Sequence, residues 1–517
     1  MDSSAPLTLD ALPPECLEDI VKYLDLNTIK ALRISNHNLH VKCTGPRFKS
    51  FLHQYTIDLT RSSLLSFQDL IVHPLGSAVK SLTIMALIYD QTLKQKIQKR
   101  WQNRTPQDNL QAAAYLKAQN DPTCMWLQAH QQELDEISYE EAVAHLTVCL
   151  KNIQKLDIIE LDAAIIQAPS LKVTTDTGPA NWYPVWMRAA RNYCITMEAI
   201  ALSDVRLKSL SVYQIPPRCS VPLYDIATNI EMLQLLDPTY LQMTGKHMEQ
   251  LALSISTKVI TGATERPPRV PVGCHQDSAR RITRPSYVAG IGGDHLLDEE
   301  KFDGLARFLK LMPNLRALEL HFYSTLLEQN RPYNNMFDRV AKELRFPLLR
   351  QCSLRGIHLS EGYLLQFLSN HSQITDLTLC EIEFEDSNSW VPIFAHLSLK
   401  MPHLSRLYLA TLSAADRKIN LHPVWENNPS ELMDGWVPAK EFSADDIRRG
   451  LEFRTEIPQR QGSVRSHVWW ISVEKEYRSP WLSNWNEPRN QPYPFIRSSS
   501  FILQPPAGPI LPEYAGI

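Results

Sequence analysis

Apolar residues near the start of the chain recur at helical spacing. Leu12-Pro13-Pro14-Glu15 reads as a helix start, because proline fits a first turn and the Glu15 carboxylate sits well at the positive end of the helix dipole. Leu17, Ile20, Val21 and Leu24 follow at i, i+3, i+4 and i+7 and form one apolar stripe. Asp25-Leu26-Asn27 then breaks the period and offers Asn27 as the N-cap of a second helix carrying Ile29, Leu32 and Leu39. A hairpin this short cannot bury enough apolar surface to be stable alone, so its stripe has to meet either the rest of the chain or another protein.

Downstream the period changes. Segments of the form Leu-x-x-Leu-x-Leu place their last two apolar residues on one face of a strand, with the x positions turned to solvent, as in a leucine-rich repeat. Leu315 to Leu320, Leu349 to Leu354, Ile374 to Leu379 and Leu404 to Leu409 all fit, and their first residues stand 34, 25 and 30 positions apart. Earlier matches are Val79 to Ile84, Ile153 to Ile158, Leu207 to Val212 and Ile230 to Leu235. Helix-like stretches lie between them, such as Gly362 to Ser369, where Leu364, Phe367 and Leu368 share a face. The pattern predicts an α/β fold, an N-terminal helical unit followed by an irregular leucine-rich-repeat solenoid. A plain α/β or helical domain with coincidental leucines is the alternative. Ile357, Ile382 and Leu412 stand where the commonest repeat has Asn or Cys, so no Asn ladder is expected.

In such an array the side chains between the core leucines line a concave binding face. They are Lys155, Asp157, Ser209, Ser211, Glu319, His321, Ser353, Arg355, Asp376, Thr378, Arg406 and Tyr408. Among them His321, Arg355, Arg406 and Tyr408 are the expected substrate contacts, since Arg and aromatic side chains dominate interface hot spots.

Composition sets the organisation around these elements. With 44% hydrophobic and 21% charged residues the chain has ample side chain for a core, and 517 residues call for several units. The reading is a helical unit over 1–50, a linking strand and helix with a first repeat over 51–90, and early irregular repeats with a helical arm over 91–257. A loop insertion follows over 258–300, then repeats over 301–412, and a Trp/Pro-rich cap and tail over 413–517. The loop carries Arg266, Arg269, Arg280, Arg281 and Arg284, a solvated basic stretch with a contact to an acidic partner as the alternative. Trp425, Trp436, Trp469, Trp470, Trp481 and Trp485 crowd the last segment and need cover, most simply by closing the open end of the repeats, with an aromatic ligand pocket as the other reading.

Charge and motif content exclude several function classes. Lys plus Arg is 53 against 56 Asp plus Glu, net -3, so no global field points to nucleic acid or an anionic membrane. Neither a basic-then-apolar leader nor an unbroken run of ~18 apolar residues is present, and the expectation is a chain that is neither secreted nor membrane-spanning. Nine scattered cysteines, never as close as Cys-x-x-Cys, point to thiols in a reducing compartment, cytoplasmic and/or nuclear. Gly-x-Ser-x-Gly, His-Glu-x-x-His and phosphate-loop signatures are missing, so no enzyme, metal or cofactor is expected, although distant residues can still converge.

Leu12-Pro13-Pro14-Glu15-Cys16-Leu17-Glu18-Asp19-Ile20-Val21-Lys22-Tyr23-Leu24-Asp25-Leu26, then Ile29-Lys30-Ala31-Leu32-Arg33-Ile34-Ser35, resembles the F-box. The opening Leu-Pro, the acidic residue two places later, the Leu/Ile helix and the closing Leu-Arg-x-Ser all stand here. Asn36-His37 departs from the family, which often has Cys-Lys or Ser-Lys there followed by an aromatic residue. The order of Phe48 to Leu52, Ile57 to Thr60, Ser63-Leu64 and Val79 to Ile84 resembles fungal F-box proteins, in which a strand and helix join the F-box to leucine-rich repeats. The resemblance implies docking on the Skp adaptor, and through it on a cullin ubiquitin ligase, by Leu12, Pro13, Pro14, Glu15, Ile20, Leu24, Leu32 and Ile34. It implies a protein substrate held elsewhere on the chain. A regulatory or scaffolding F-box role without ubiquitination, and an ordinary packed helical cap, are the alternatives.

Overall fold

A computed structural model describes residues 8–90, 122–153, 155–167, 172–174, 178–214, 219–236, 245–256, 303–323, 331–384, 389–414, 417–421, 439–451 and 453–456. These fall into two compact units, one built from residues up to Cys219 together with 245–251, the other from 220–236 and from Ala252 onward.

The first unit begins with four short helices, α1 (Pro14–Val21), α2 (Leu26–Ser35), α3 (His37–Lys42) and α4 (Pro46–Ser50). Pro14 takes the first turn of α1, where its missing N–H costs nothing. Asp25, rather than Asn27, caps α2 by accepting from the Thr28 N–H at 2.7 Å. Asn36 ends that helix in an extended conformation and caps α3 through the Asn38 N–H at 2.7 Å, so Leu39 stands on a third helix rather than late in the second. Leu17, Val21, Ile29, Leu39, Cys43, Phe48 and Leu75 meet in one buried cluster. The Glu18 carboxylate reaches over to accept from the Arg47 N–H at 2.7 Å near the start of α4, where a negative charge is favoured.

The unit continues with β1 (Gln54–Asp58), α5 (Arg61–Val72), β2 (Ser81–Asp90), α6 (Pro122–Glu136), α7 (Tyr139–Asn152), β3 (Ile158–Gln167), β4 (Lys172–Thr174), α8 (Gly178–Ser203) and β5 (Ser209–Val212). β1, β2, β3 and β5 lie side by side in that order, all parallel, and β4 folds back antiparallel on β3. The described part of the expected helical arm is docked: Arg61 pairs with Glu141, Ser62 N–H and Oγ both donate to Glu133, and His130 Nε2 lies 2.9 Å from Asp58. The rest of the arm, 91–121, is outside the described residues.

The second unit holds β6 (Val221–Pro222), α9 (Leu223–Leu236), β7 (Gln250–Ser256), α10 (Asp303–Lys310), β8 (Ala317–Tyr323), α11 (Arg331–Glu343), β9 (Gln351–Arg355), β10 (His358–Leu359), α12 (Glu361–Asn370), β11 (Asp376–Cys380), β12 (Glu383–Phe384), α13 (Trp390–Lys400), β13 (Arg406–Ala410), β14 (Ser413–Ala414), β15 (Arg417–Asn420), β16 (Ala439–Ser443), α14 (Ala444–Arg449) and β17 (Arg454–Glu456). β8, β9, β11 and β13 form a parallel ladder, closed at the β13 edge by antiparallel β16. β10, β12 and β14 form a second, shorter parallel ladder that β15 and β17 extend antiparallel.

One local unit recurs through this region. β9, β11 and β13 are each followed by a residue with left-handed backbone, Gly356 at φ 68°, Glu381 at 54° and Thr411 at 50°. Next comes a buried Ile357, Ile382 or Leu412, then a short strand, and, after the first two, a helix. Backbone bonds stitch successive turns together, Gly356 N–H to Cys380 at 3.0 Å and Glu381 N–H to Ala410 at 2.8 Å. Cys352 and Leu354, Leu377 and Leu379, Leu407 and Leu409 fill the core beneath the strands, as do Leu364, Phe367 and Leu368 from α12. The fold is thus mixed α/β with mostly parallel strands. One expected strand is overturned: Ile230 to Leu235 lies within α9, where Ile226, Ile230 and Leu233 are buried at i, i+4 and i+7. The loop expected over 258–300, Trp425, Trp436 and the tryptophans from Trp469 onward are outside the described residues.

Candidate functional site

The N-terminal helices divide their apolar residues sharply between core and surface. α1 turns Leu17 and Val21 inward, while Ile20, one position before Val21, stays 39% exposed and Leu24 is half-buried. On α2, Ile29 is buried, Leu32 half-buried and Ile34 73% exposed. Pro13, Pro14 and Glu15 are exposed and Leu12 is half-buried. All eight residues expected at an adaptor contact therefore reach the surface to some degree.

Sequence reasoning missed two exposed residues of the same unit. Tyr23 is 90% exposed in the turn between α1 and α2, and Val41 is 63% exposed on α3. Tyr23 follows Ile20 by three positions, which signalled a shared face, but the helix stops at Val21. Val41 had no signal, because α3 was not anticipated as a separate helix.

The N-terminal segment before α1 is held from α3. Lys42 Nζ donates to the carbonyls of Asp10 and Leu12, both at 2.7 Å, and Asn36 Nδ2 donates to Asp10 Oδ2 at 3.1 Å. Hydrogen bonds and the nearby Lys42 keep the Asp10 carboxyl below its usual range. The position of Leu12-Pro13 thus depends on how α3 sits on α2.

In the second unit the residues opposite the core leucines align in rows across the parallel strands. Ala317, Gln351, Asp376 and Arg406 form one row, Glu319, Ser353, Thr378 and Tyr408 the next, and His321, Arg355, Cys380 and Ala410 the third. This face is less open than the pattern implied. His321 is only 7% exposed, and Ser209, Ser353 and Thr378 are also buried. Burial, and then the neighbouring Arg355, hold the His321 ring well below the usual histidine range, so it is neutral at pH 7. Arg355 donates to Glu381 Oε1 at 3.0 Å, placed there by the left-handed turn at Glu381. Arg406 sits 3.1 Å from Asp376, with Glu441 of β16 at 3.9 Å. Of the four expected contact residues, Arg406 and Tyr408 are the most accessible, Arg355 is largely enclosed and His321 is buried. Lys155 is exposed, and Asp157, Ser211, Glu319 and Asp376 are half-buried.

Among the described residues, no group of three or more His, Cys, Asp and Glu side chains is placed to hold a metal ion. Burial pushes the Cys149 and Cys380 thiols up to about 12, which keeps them protonated and poor nucleophiles at neutral pH. No described helix is long and apolar enough to cross a membrane. The chain matches no protein-family model, and no curated protein shows significant similarity to it.

Proposed function

We propose that this chain is an F-box protein, the substrate-recognising subunit of a cullin-type ubiquitin ligase, with residues 12–41 docking on the Skp adaptor. One observation carries the reading. The N-terminal helices close their core on one side, against Leu75 and Leu70, and still leave Pro13, Pro14, Ile20, Tyr23, Ile34 and Val41 at the surface. Exposed apolar patches mark protein interaction sites, and an aromatic side chain such as Tyr23 is the kind that anchors them.

The body is read as irregular leucine-rich repeats with a C-terminal Trp/Pro-rich cap. The strand, left-handed turn and short strand recurring through Gly356, Glu381 and Thr411 support the repeats, and the antiparallel β16 against the last parallel strand supports a cap at that end. In this reading a protein target binds through the face bearing Arg406 and Tyr408, with Arg355 on the same side of the sheet two strands away. Its lysines are brought near the charged conjugating enzyme, so the contribution to catalysis is effective concentration.

Co-purification with the Skp adaptor and a cullin tests the proposal. Both should come down with the wild-type chain, and Ile20→Asp with Ile34→Asp should release both. Adaptor without cullin would favour a regulatory or scaffolding F-box role. Unchanged adaptor capture by the double variant would remove the docking assignment.

A further inference from the structure

α13 is apolar both towards the core and towards solvent. Trp390, Ile393, Phe394 and Leu397 point inward and are at most 3% exposed. That inner side is fixed: Trp390 donates from Nε1 to the Ser413 carbonyl at 3.0 Å, its ring stacks on Phe384, and Phe394 meets Phe453 edge-on. On the opposite side Val391, Ala395 and Leu399 follow at i, i+4 and i+8, all exposed, Val391 by 58% and Leu399 by 78%, with Pro392 half-buried beside them. His396 and Ser398 lie half-buried on the flanks. A helix that is hydrophobic all round is ordinarily covered on both sides, and an exposed apolar patch with a polar rim marks an interaction site.

The two ends of this stripe carry opposite charge. At the start, Glu361 of α12 accepts from the Ser389 N–H at 2.9 Å, placing a negative charge at the positive end of the helix dipole. At the finish, the exposed Lys400 places a positive charge at the negative end. Ala395 is the midpoint, and its small side chain lets a second helix approach closely. A copy of the stripe turned end for end about Ala395 sets Val391 against Leu399 and Glu361 against Lys400, twice over. A copy laid parallel sets like charge on like. The stripe is therefore complementary to itself in one orientation, as a two-fold interface requires.

We propose that α13 is a self-association face, through which two copies of this chain pair antiparallel about Ala395. The patch is smaller than a standard interface, so the pair is weak, with a dissociation constant on the order of 10–100 μM. Arg406 and Tyr408 stand opposite the core leucines of the sheet, whereas α13 packs on the core side, so pairing leaves their face open. Under the ligase reading the pair presents two target faces and gains avidity for a target with two binding segments. That consequence rests on the F-box proposal; self-association does not.

Sedimentation velocity of the full chain over roughly 1–200 μM, a range that brackets the constant, tests this. Wild type should pass from monomer to dimer. Leu399→Glu, which sets a carboxylate against Val391, should weaken pairing about tenfold or more. Glu361→Lys and Lys400→Glu each set like charges together at both ends and should each weaken it about threefold or more. Mixing those two variants pairs opposite charges again and should restore the wild-type affinity. Positions 361 and 400 flank a helix about 15 Å long, so compensation within one chain cannot produce that recovery. A wild type that stays monomeric throughout would overturn the proposal, as would a dimer indifferent to Leu399→Glu, or a mixture that pairs no better than either variant alone. If circular dichroism shows that Glu361→Lys loses helix with its Ser389 contact, Leu399→Glu and Lys400→Glu decide the matter, and pairing unweakened in both would overturn it.

Discussion

Replacing His371 with Phe is the sharpest test of how successive turns of the second unit are held together. His371 follows α12 and is completely buried, with its ring 5.6 Å from Phe346 and 4.4 Å from Phe367 between centroids. Nε2 accepts from the Phe346 N–H at 3.0 Å. The other nitrogen, 2.7 Å from the Phe367 carbonyl, therefore carries the proton and donates. Gln373 adds a bond from its side chain to the Phe346 carbonyl at 2.8 Å, so the end of one helix clamps the entry to the preceding strand. Phenylalanine keeps the ring and its stacking but satisfies neither polar group. Leaving a buried N–H and a buried C=O without this partner costs roughly 1–3 kcal/mol each, and about 2–4 kcal/mol together after local relaxation.

The same histidine predicts a pH dependence. Burial pushes its ring from the ordinary 6.5 down to about 4, with Arg345 adding to the shift and the Phe367 carbonyl, which favours the charged ring, opposing it. Between those values the unfolded chain binds a proton that the folded chain refuses, so acidification favours unfolding by up to roughly 3 kcal/mol. His371→Phe lacks this contribution. Hydrogen–deuterium exchange over residues 344–380, corrected for intrinsic rate, reads both effects in the intact protein. At pH 7 the variant should open about 2–4 kcal/mol more easily, and its deficit should shrink as the pH falls from 6.5 towards 4. Equal protection of the two proteins at pH 7, or a deficit that does not change with pH, would refute the clamp.

Gly356→Ala should destabilise the same unit by more than the ~1 kcal/mol of a left-handed backbone alone, because an added Cβ collides with the Phe322 carbonyl oxygen, and an urea midpoint no lower than wild type would contradict this. Ile20→Asp with Ile34→Asp should change the unfolding free energy by no more than the about 0.5 kcal/mol per site typical of surface changes while adaptor capture disappears; loss of folding instead would mean the two side chains belong to the core. Leu17→Ala should cost about 2–5 kcal/mol and melt the N-terminal helices, abolishing capture by unfolding rather than by contact, which far-UV circular dichroism of the two variants separates. Asp25→Ala should cost about 1 kcal/mol through loss of the α2 cap, and unchanged exchange at residues 26–30 would count against it.

The strands at Gln351, Asp376 and Arg406 were legible because two buried apolar residues at i and i+2, Cys352 and Leu354 in the first and paired leucines in the others, leave a period that helices do not share. The same spacing is misleading at Ile230 to Leu235, which is helical. Its first two apolar residues, i and i+3, are common to a repeat and to a helix, and what settles the matter is Ile226 one turn earlier, outside the six-residue repeat pattern. The spacing is less visible at β7, where Met248-Glu249-Gln250-Leu251-Ala252-Leu253 fits the repeat with methionine in the first place; Met248, Leu251 and Leu253 are all buried. Methionine fills such a position as well as leucine, being flexible and of similar volume.

The candidate faces were legible to different depths for a physical reason. Around α1 and α2 the inward and outward positions follow from helical period alone, so Leu17 and Val21 could be separated from Ile20 once the core was placed. On the parallel strands, alternation says only which residues oppose the leucines. Whether an opposing side chain meets water depends on its neighbours in the same row, set by the register between strands distant in sequence. His321 lies beside Arg355, itself drawn to Glu381 by the following turn, and it is buried although its alternation is that of an exposed residue. Tyr408 lies opposite Glu441 at the antiparallel edge and keeps part of its ring in solvent. A binding face on such a sheet is therefore best sought at its last strand, where one flank is a short edge strand and the large side chains of Arg406 and Tyr408 have no row of equals on both sides to enclose them.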